Sequence, residues 1–320
     1  MTATSATSAS ASSSFRRLLV EPVPVGSRVL PPIGLVVLAM VGALLLLVVA
    51  TSRWAFPNDE HAYWLAGQRL INGQPLYDPT ASSITPFAYW YPPILAQIVA
   101  PITLILPSEA FSWAWTGLLL ACLWWLAGGR PLWFLAMIAF VPVATELGFR
   151  NVHLILAVLI VVGIHRWPGA FSVGAGIKLA PGLGVVYLAA GGKWRAAAVA
   201  AVVGLAILAV SVALSPQAWI DFFGILTSRG PADASALLPI PYWVRGATGL
   251  ALALLAARLR PRIGEPLLVV AIVIALPTLW FTALSTLAAL VPVIAFRWAS
   301  SARSVADPPR EPAHPDPATA

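Results

Sequence analysis

The apolar runs of this chain are continuous instead of alternating, and that excludes most of what 320 residues can fold into. Residues 33–51 contain no charged side chain, and neither do residues 196–214. A membrane barrel strand would alternate apolar and polar with a period of two, so a barrel does not fit. A helix crossing the hydrocarbon of a bilayer needs about 20 apolar residues. Only 10% of the chain is charged and 59% is hydrophobic, whereas soluble domains carry roughly 25% charge. So little charge cannot clothe a globule in water. A soluble enzyme, a nucleic-acid module and a disordered protein are therefore excluded. The sequence predicts an all-α, polytopic helical membrane protein.

About ten segments can be drawn, near 32–51, 91–107, 110–127, 131–147, 151–166, 169–190, 194–214, 241–258, 265–279 and 281–299. Residues 1–30, rich in Ala, Ser and Thr, read as a disordered cytoplasmic tail. Residues 300–320, dense in proline, read as a second one. Residues 31–299 are then a single membrane domain. Cys122 is the only cysteine, so an internal disulfide and a four-cysteine zinc site are impossible.

The net charge of +7 lies largely at segment ends, where it sets topology and does not suggest nucleic acid as a partner. Arg16, Arg17 and Arg28 put the N-terminus inside. Ten crossings bring Lys193 and Arg195, the Arg258, Arg260 and Arg262 cluster, and Arg297, Arg303 and Arg310 to that same side. Arg130 and Arg166 then fall outside, against the rule. The two long loops, 52–90 and 215–240, share the outer face, so an outward-facing site is expected.

The first outer loop holds the densest chemistry. Asn58 follows Pro57 as an N-cap, Asn72-Gly73 is a stop, and a short amphipathic helix lies between them. Its apolar residues suit a position in the membrane interface. Asp59 and Glu60 occupy the first turn, where the backbone dipole favours acids in any case. Yet carboxylates at a membrane surface are costly without a task. A general base must reach the hydroxyl that it deprotonates, and burial moves its pKa toward the working pH. Asp59 suits that role, with Glu60 and Asp78 as alternatives, and His61 could hold or relay a proton.

Lys178 stands well inside an apolar segment. A cation there should face a cavity or a partner, and a phosphate is a natural partner. Snorkelling to an interface and pairing with Glu146 are the plainer readings. The turn Gly148-Phe149-Arg150-Asn151-Val152-His153 joins two short apolar runs. The segment count puts it nearer the inner side, unless it is sunken. Tyr89-Trp90-Tyr91 reads as a headgroup belt or as a rim on which sugars stack.

These residues form an ordered series: an acid in the first outer loop, Gly73-x-Pro75-Leu76-Tyr77-Asp78, Tyr89-x-Tyr91-Pro92-Pro93, Gly148-x-x-Asn151, Gly176-x-Lys178-x-x-Pro181, and Lys193-Trp194-Arg195. The series resembles glycosyltransferase family 87, most closely over residues 55–200. The resemblance implies a GT-C-like bundle with its catalytic residues in the first outer loop, and a polyprenyl-phosphate sugar as donor. It is similar to actinobacterial mannosyltransferases, with arabinosyltransferases of the same family as the alternative. By the same likeness Asp59 is the catalytic base and Lys178 binds the donor phosphate, with Arg69 and Arg245 as its candidate helpers. Glu60, His61, Tyr77, Asp78, Tyr89, Tyr91 and Asn151 fall to substrate binding. The sequence departs from the family pattern in Phe149 and Arg150, where a glutamine is common, and after Trp280, where some members carry a histidine.

The expected reaction is a single inverting displacement at the outer face of a bacterial plasma membrane, onto a lipid or glycan acceptor. Membrane lipids are the remaining partners, and no cofactor or metal is called for, since a lipid monophosphate leaves without a pyrophosphate clamp. Asp221, Arg229 and Asp233 of the loop 215–240 could help bind the acceptor. A transporter or flippase, or a non-catalytic protein of envelope assembly, are the competing classes.

Overall fold

The structure, a computed structural model, describes residues 20–25, 28–51, 58–78, 80–81, 85, 87–228, 237, 240–277 and 279–296. Arg229 and Asp233, the arginines at 16, 17, 297, 303 and 310, and all of the C-terminal tail lie outside them. The N-terminal tail ends in a small antiparallel hairpin of β1 (Val23–Val25) and β2 (Arg28–Leu30), with Val23 opposite Leu30. Among the described residues, every regular element after it is a helix.

Helix α1 (Ile33–Thr51) buries only Ala39 and Gly42 of its own length. Gly42 is needed there: a Cβ at this position would run into the carbonyl of Leu135 on α5 (Pro131–Ile138). The rest of α1 shows leucines and valines outward, as suits a lipid-facing helix. Helix α2 (Asp59–Ile71) is the short helix expected in the first loop. It lies against α3 (Pro93–Thr103), where Gly67 sits so near the Ala100 backbone that a Cβ would be only 3.0 Å from the Ala100 nitrogen. The Trp64 indole donates to the Leu106 carbonyl (3.0 Å) and the Gln68 amide to that of Thr103 (3.2 Å), fixing α2 along its length. Asn72 ends the helix and Gly73 takes a left-handed φ of 64°, as the Asn-Gly stop predicts. Asn58 stands at the N-cap, but its side chain makes no capping bond.

Among the described residues, two helices are long and apolar enough to cross a membrane: α1 and α10 (Trp194–Leu214). The count rises to four if two bent pairs are each one span. These are α4 (Ser108–Leu126) with α5, and α6 (Val141–Phe149) with α7 (His153–His165), each bent by 116°. The chain is thus an all-α protein whose apolar helices suit a membrane, but ten separate crossings do not emerge. Counting apolar runs overlooks breaks inside them. Gly128 and Gly129, both at positive φ, turn α4 into α5. The run 169–190 divides into α8 (Ala170–Ile177), a 3-10 turn (Ala180–Gly182) and α9 (Leu183–Ala190). An eight-residue helix spans only about 12 Å, far short of the ~30 Å of hydrocarbon.

The region 215–240, expected to be an outer loop, begins instead with helix α11 (Pro216–Ser228). Ala218, Trp219 and Phe222 are its buried stripe. The Gln97 amide of α3 and the Ser211 hydroxyl of α10 bond to each other's chain (2.9 and 2.6 Å), and the Trp219 indole donates to that hydroxyl (2.9 Å). Helices α12 (Tyr242–Arg258) and α13 (Pro261–Ile274) form a tight hairpin in which Gly249 faces the Ala271 carbonyl. A 3-10 helix (Phe281–Ala289) then covers α6 and α7, burying Thr282, Ser285 and Thr286.

Candidate active site

The site forms where α2 meets the turn between α6 and α7. That turn reverses at Arg150, a non-glycine residue at φ 54° and ψ 45°. The left-handed region costs a side-chain-bearing residue on the order of 1 kcal/mol. Here the Arg150 guanidinium donates to Oε1 of Glu60 at 2.8 Å, and also to the Ser112 hydroxyl, which itself donates to the same carboxylate oxygen (2.7 Å). Glu60 is 2% exposed. The pair latches the start of α2 to the turn.

The latch brings neighbouring residues of both elements together. Asn151 follows Arg150, Asp59 precedes Glu60, and the Asn151 amide donates to the Asp59 carboxylate. Asn151 is held on its other side too. Its Oδ1 accepts from the Tyr91 hydroxyl (3.0 Å), the Tyr63 hydroxyl (3.3 Å) and the Val152 N–H (2.7 Å). Burial pushes the Asp59 carboxyl up to about 7. The Lys178 charge and the Asn151 amide act in the opposite direction, while the Glu146 and Glu60 carboxyls add to the rise. The polar turn therefore does not lie on the far side from the first loop, as the segment count placed it. The bend between α6 and α7 sinks it against Asp59.

Lys178 stands just beyond, on extended backbone between α8 and the 3-10 turn. Broken helix in apolar surroundings is tolerated where it lines a cavity. The cavity is an open cleft with Lys178, Tyr77, Trp90, Leu179, Phe222, Ile225, Leu226, Pro92 and Pro277 around it. Six of these nine residues are apolar, and Lys178 is the charged one. The ammonium sits 5.0 Å from the centre of the Tyr91 ring and 2.8 Å from Nε2 of His153. Nδ1 of His153 lies 2.9 Å from Oε2 of Glu146, whose Oε1 accepts the His153 backbone N–H (2.6 Å). The sequence suggested pairing of Lys178 with Glu146. The two are connected, but through an imidazole.

Family comparison covers the second half of this arrangement and more. The model of glycosyltransferase family 87 matches residues 89–306, more than half of the chain. The chain belongs to glycosyltransferase family 87. Comparison with curated proteins finds no match, and neither does comparison with solved structures. The matched span of this family 87 chain includes Tyr91, Asn151 and Lys178 but starts after α2. Asp59 and Glu60 therefore join the site by geometry and not by the family match.

The other expected residues are spread more widely. The Tyr77 hydroxyl donates to the Tyr91 carbonyl (2.8 Å), although its ring edges the cleft. The Tyr89 hydroxyl donates to the Pro92 carbonyl (2.8 Å) and accepts from the Ala96 N–H (2.9 Å), so it fastens the start of α3. His61 bonds Ser108 through Nδ1 (2.8 Å) and stacks near Trp64. Arg69 reaches the Leu76 carbonyl (3.4 Å). Asp78 is exposed, and the Thr80 hydroxyl and N–H hold its carboxyl below the usual range. Arg245 is 2% exposed and donates to the carbonyls of Ile240, Leu276 and Pro277, with a longer contact to Ile274. Sequence reasoning missed Tyr63 and Ser112. It read His153 only as one polar group of the turn, able to line the cavity or to face the cytoplasm. The spacing of Glu146 and His153 conceals their contact, because a reversal lies between them.

Proposed function

We propose that this glycosyltransferase moves mannose from a polyprenyl-phosphate donor to a lipid or glycan acceptor at the outer face of a bacterial membrane, inverting the anomeric carbon. Its transmembrane domain, residues 31–299, is read as a GT-C-like bundle. The observation that carries the proposal is a half-buried carboxyl, Asp59, in one site with a buried lysine, Lys178, that lines a mostly apolar cleft. A lipid-borne phosphate needs a cation for its head and a greasy wall for the first units of its tail. Asp59 takes the proton of the acceptor hydroxyl as its oxygen bonds to the anomeric carbon. The bond from that carbon to the phosphate oxygen breaks, and the lipid phosphate departs with the electron pair, its charge met by Lys178.

Orientation is supported by α10. Lys193 and Arg195 stand at its start, and nearby Arg258 ends α12, which packs by Gly191, while Arg260 and Arg262 open α13. Its far end, at Ser211, bonds α3 and α11 beside the cleft. Twenty-one residues of helix are about 31 Å, so the basic end and the cleft lie on opposite sides. Basic residues favour the cytoplasmic side, which turns the cleft outward.

The test is incubation of membranes carrying the protein with labelled polyprenyl-phosphate mannose and, separately, polyprenyl-phosphate arabinose. Label should pass from the mannosyl donor into a lipid or glycan, and Asp59→Asn should abolish the transfer at unchanged expression. Transfer from the arabinosyl donor alone would change the sugar. Uptake of donor without a new glycosidic bond would favour a flippase, and normal transfer by Asp59→Asn would remove the base.

A further inference from the structure

Lys178, His153 and Glu146 make a buried line of three that the displacement described above uses only at its end. An ammonium has N–H donors and no acceptor, so the short contact to Nε2 requires a lone pair on that nitrogen. The ring proton then sits on Nδ1 and points at the Glu146 carboxylate. Glu146 also takes the His153 backbone N–H, so one carboxylate fixes both the ring and the first residue of α7. Both side chains are fully buried. Direct contact between Glu146 and Lys178 would make a closed ion pair, with the ammonium turned from the cleft and its charge cancelled. The imidazole instead keeps the carboxylate a ring's width away. It occupies one ammonium donor, and Lys178 itself lines the cleft.

We infer that His153, oriented by Glu146, is a positioning residue for the donor: it holds the Lys178 ammonium toward the cleft and spaces it from the carboxylate that would neutralise it. The inference rests on the reading that a lipid phosphate docks on Lys178. Its consequence is specific to the donor half of the reaction, because the acceptor hydroxyl is handled at Asp59.

Side-chain length provides the test. A glutamine at 153 can place its carbonyl oxygen where Nε2 lies and still accept from Lys178. An asparagine can mimic only the Nδ1 side and cannot reach. With purified full-length protein in nanodiscs, His153→Leu and His153→Asn should raise the KM for polyprenyl-phosphate mannose by about tenfold or more, leaving the acceptor KM unchanged. His153→Gln should come back to within about threefold of the natural protein. Unchanged donor KM in His153→Leu, equal behaviour of the Asn and Gln variants, or parallel rises in donor and acceptor KM would each overturn the inference. The ring reports independently of any donor. With ¹⁵N-labelled histidine, the His153 signal should show an Nδ1–H tautomer whose Nε2 shift moves in Lys178→Met. An imidazolium or an Nε2–H ring would overturn it. If the natural protein transfers no sugar, the donor reading fails, and this spectrum still decides the hydrogen-bonded line.

Discussion

Lys178 and Arg245 are both buried cations in apolar surroundings, and both attracted a phosphate-binding reading from the sequence. Their partners separate them. Lys178 has a neutral ring nitrogen, the face of Tyr91 and the wall of a cleft. Arg245 has carbonyl oxygens left over where α13 ends and the chain turns through Pro277. Four C-terminal carbonyls of any helix need donors, and a buried guanidinium with five N–H groups can supply several. A cation in a membrane segment is thus not a ligand site by virtue of its burial. What it already bonds decides whether charge remains for a substrate.

Substitutions can break this contrast. Lys178→Met should lower donor kcat/KM by about a hundredfold or more, the scale of losing one charge-stabilising group in a water-excluded site. Its thermal unfolding in detergent should stay close to that of the natural protein. Arg245→Met should do the reverse, losing on the order of 3 kcal/mol of stability, because several buried carbonyls lose their donors. Its activity per folded molecule should persist. The latch comes next. Glu60→Gln weakens the hold on Arg150, and we expect about a tenfold loss of kcat, since small displacements of a base are costly. Loss of expression in place of loss of rate would make the latch a folding element only.

The pH profile should show an effect of similar size. A carboxyl raised to about 7 by burial is mostly protonated in mild acid, and a base must be ionised. Transfer should therefore rise about fivefold to tenfold from pH 6 to pH 8. A flat profile over that range would separate the rate from Asp59. The smallest effect is expected at Asp78. Exposed and tied to Thr80, it should tolerate Asp78→Asn with less than about a twofold change.

The helical class, the short helix 59–71 and its Asn-Gly stop were legible, because continuous apolar runs and a turn dipeptide are local signals. Asp59 and Lys178 were legible as candidates, since charge is scarce in this chain. Their association was not. It depends on the reversal at Arg150, where a side-chain-bearing residue takes a glycine's conformation because Glu60, far away in sequence, holds it. The count of ten crossings was not recovered for a related reason. Hydropathy registers how apolar a run is and not where it breaks, and the breaks at Gly128-Gly129, Arg150 and Lys178 are what create the bends and the cleft. Helix α11 did leave a trace, in the spacing of Ala218, Trp219, Phe222, Ile225 and Leu226, but a polar neighbourhood concealed it.

The most direct measurement is photo-crosslinking of the full-length protein in nanodiscs with a polyprenyl phosphate carrying a diazirine in its first isoprene unit. Peptide mapping should place the label on the cleft wall, at Leu179, Phe222, Ile225 or Leu226, and Lys178→Met should remove it while Arg245→Met retains it. Label confined to the lipid-facing sides of α1 and α10, or indifferent to Lys178, would contradict the account.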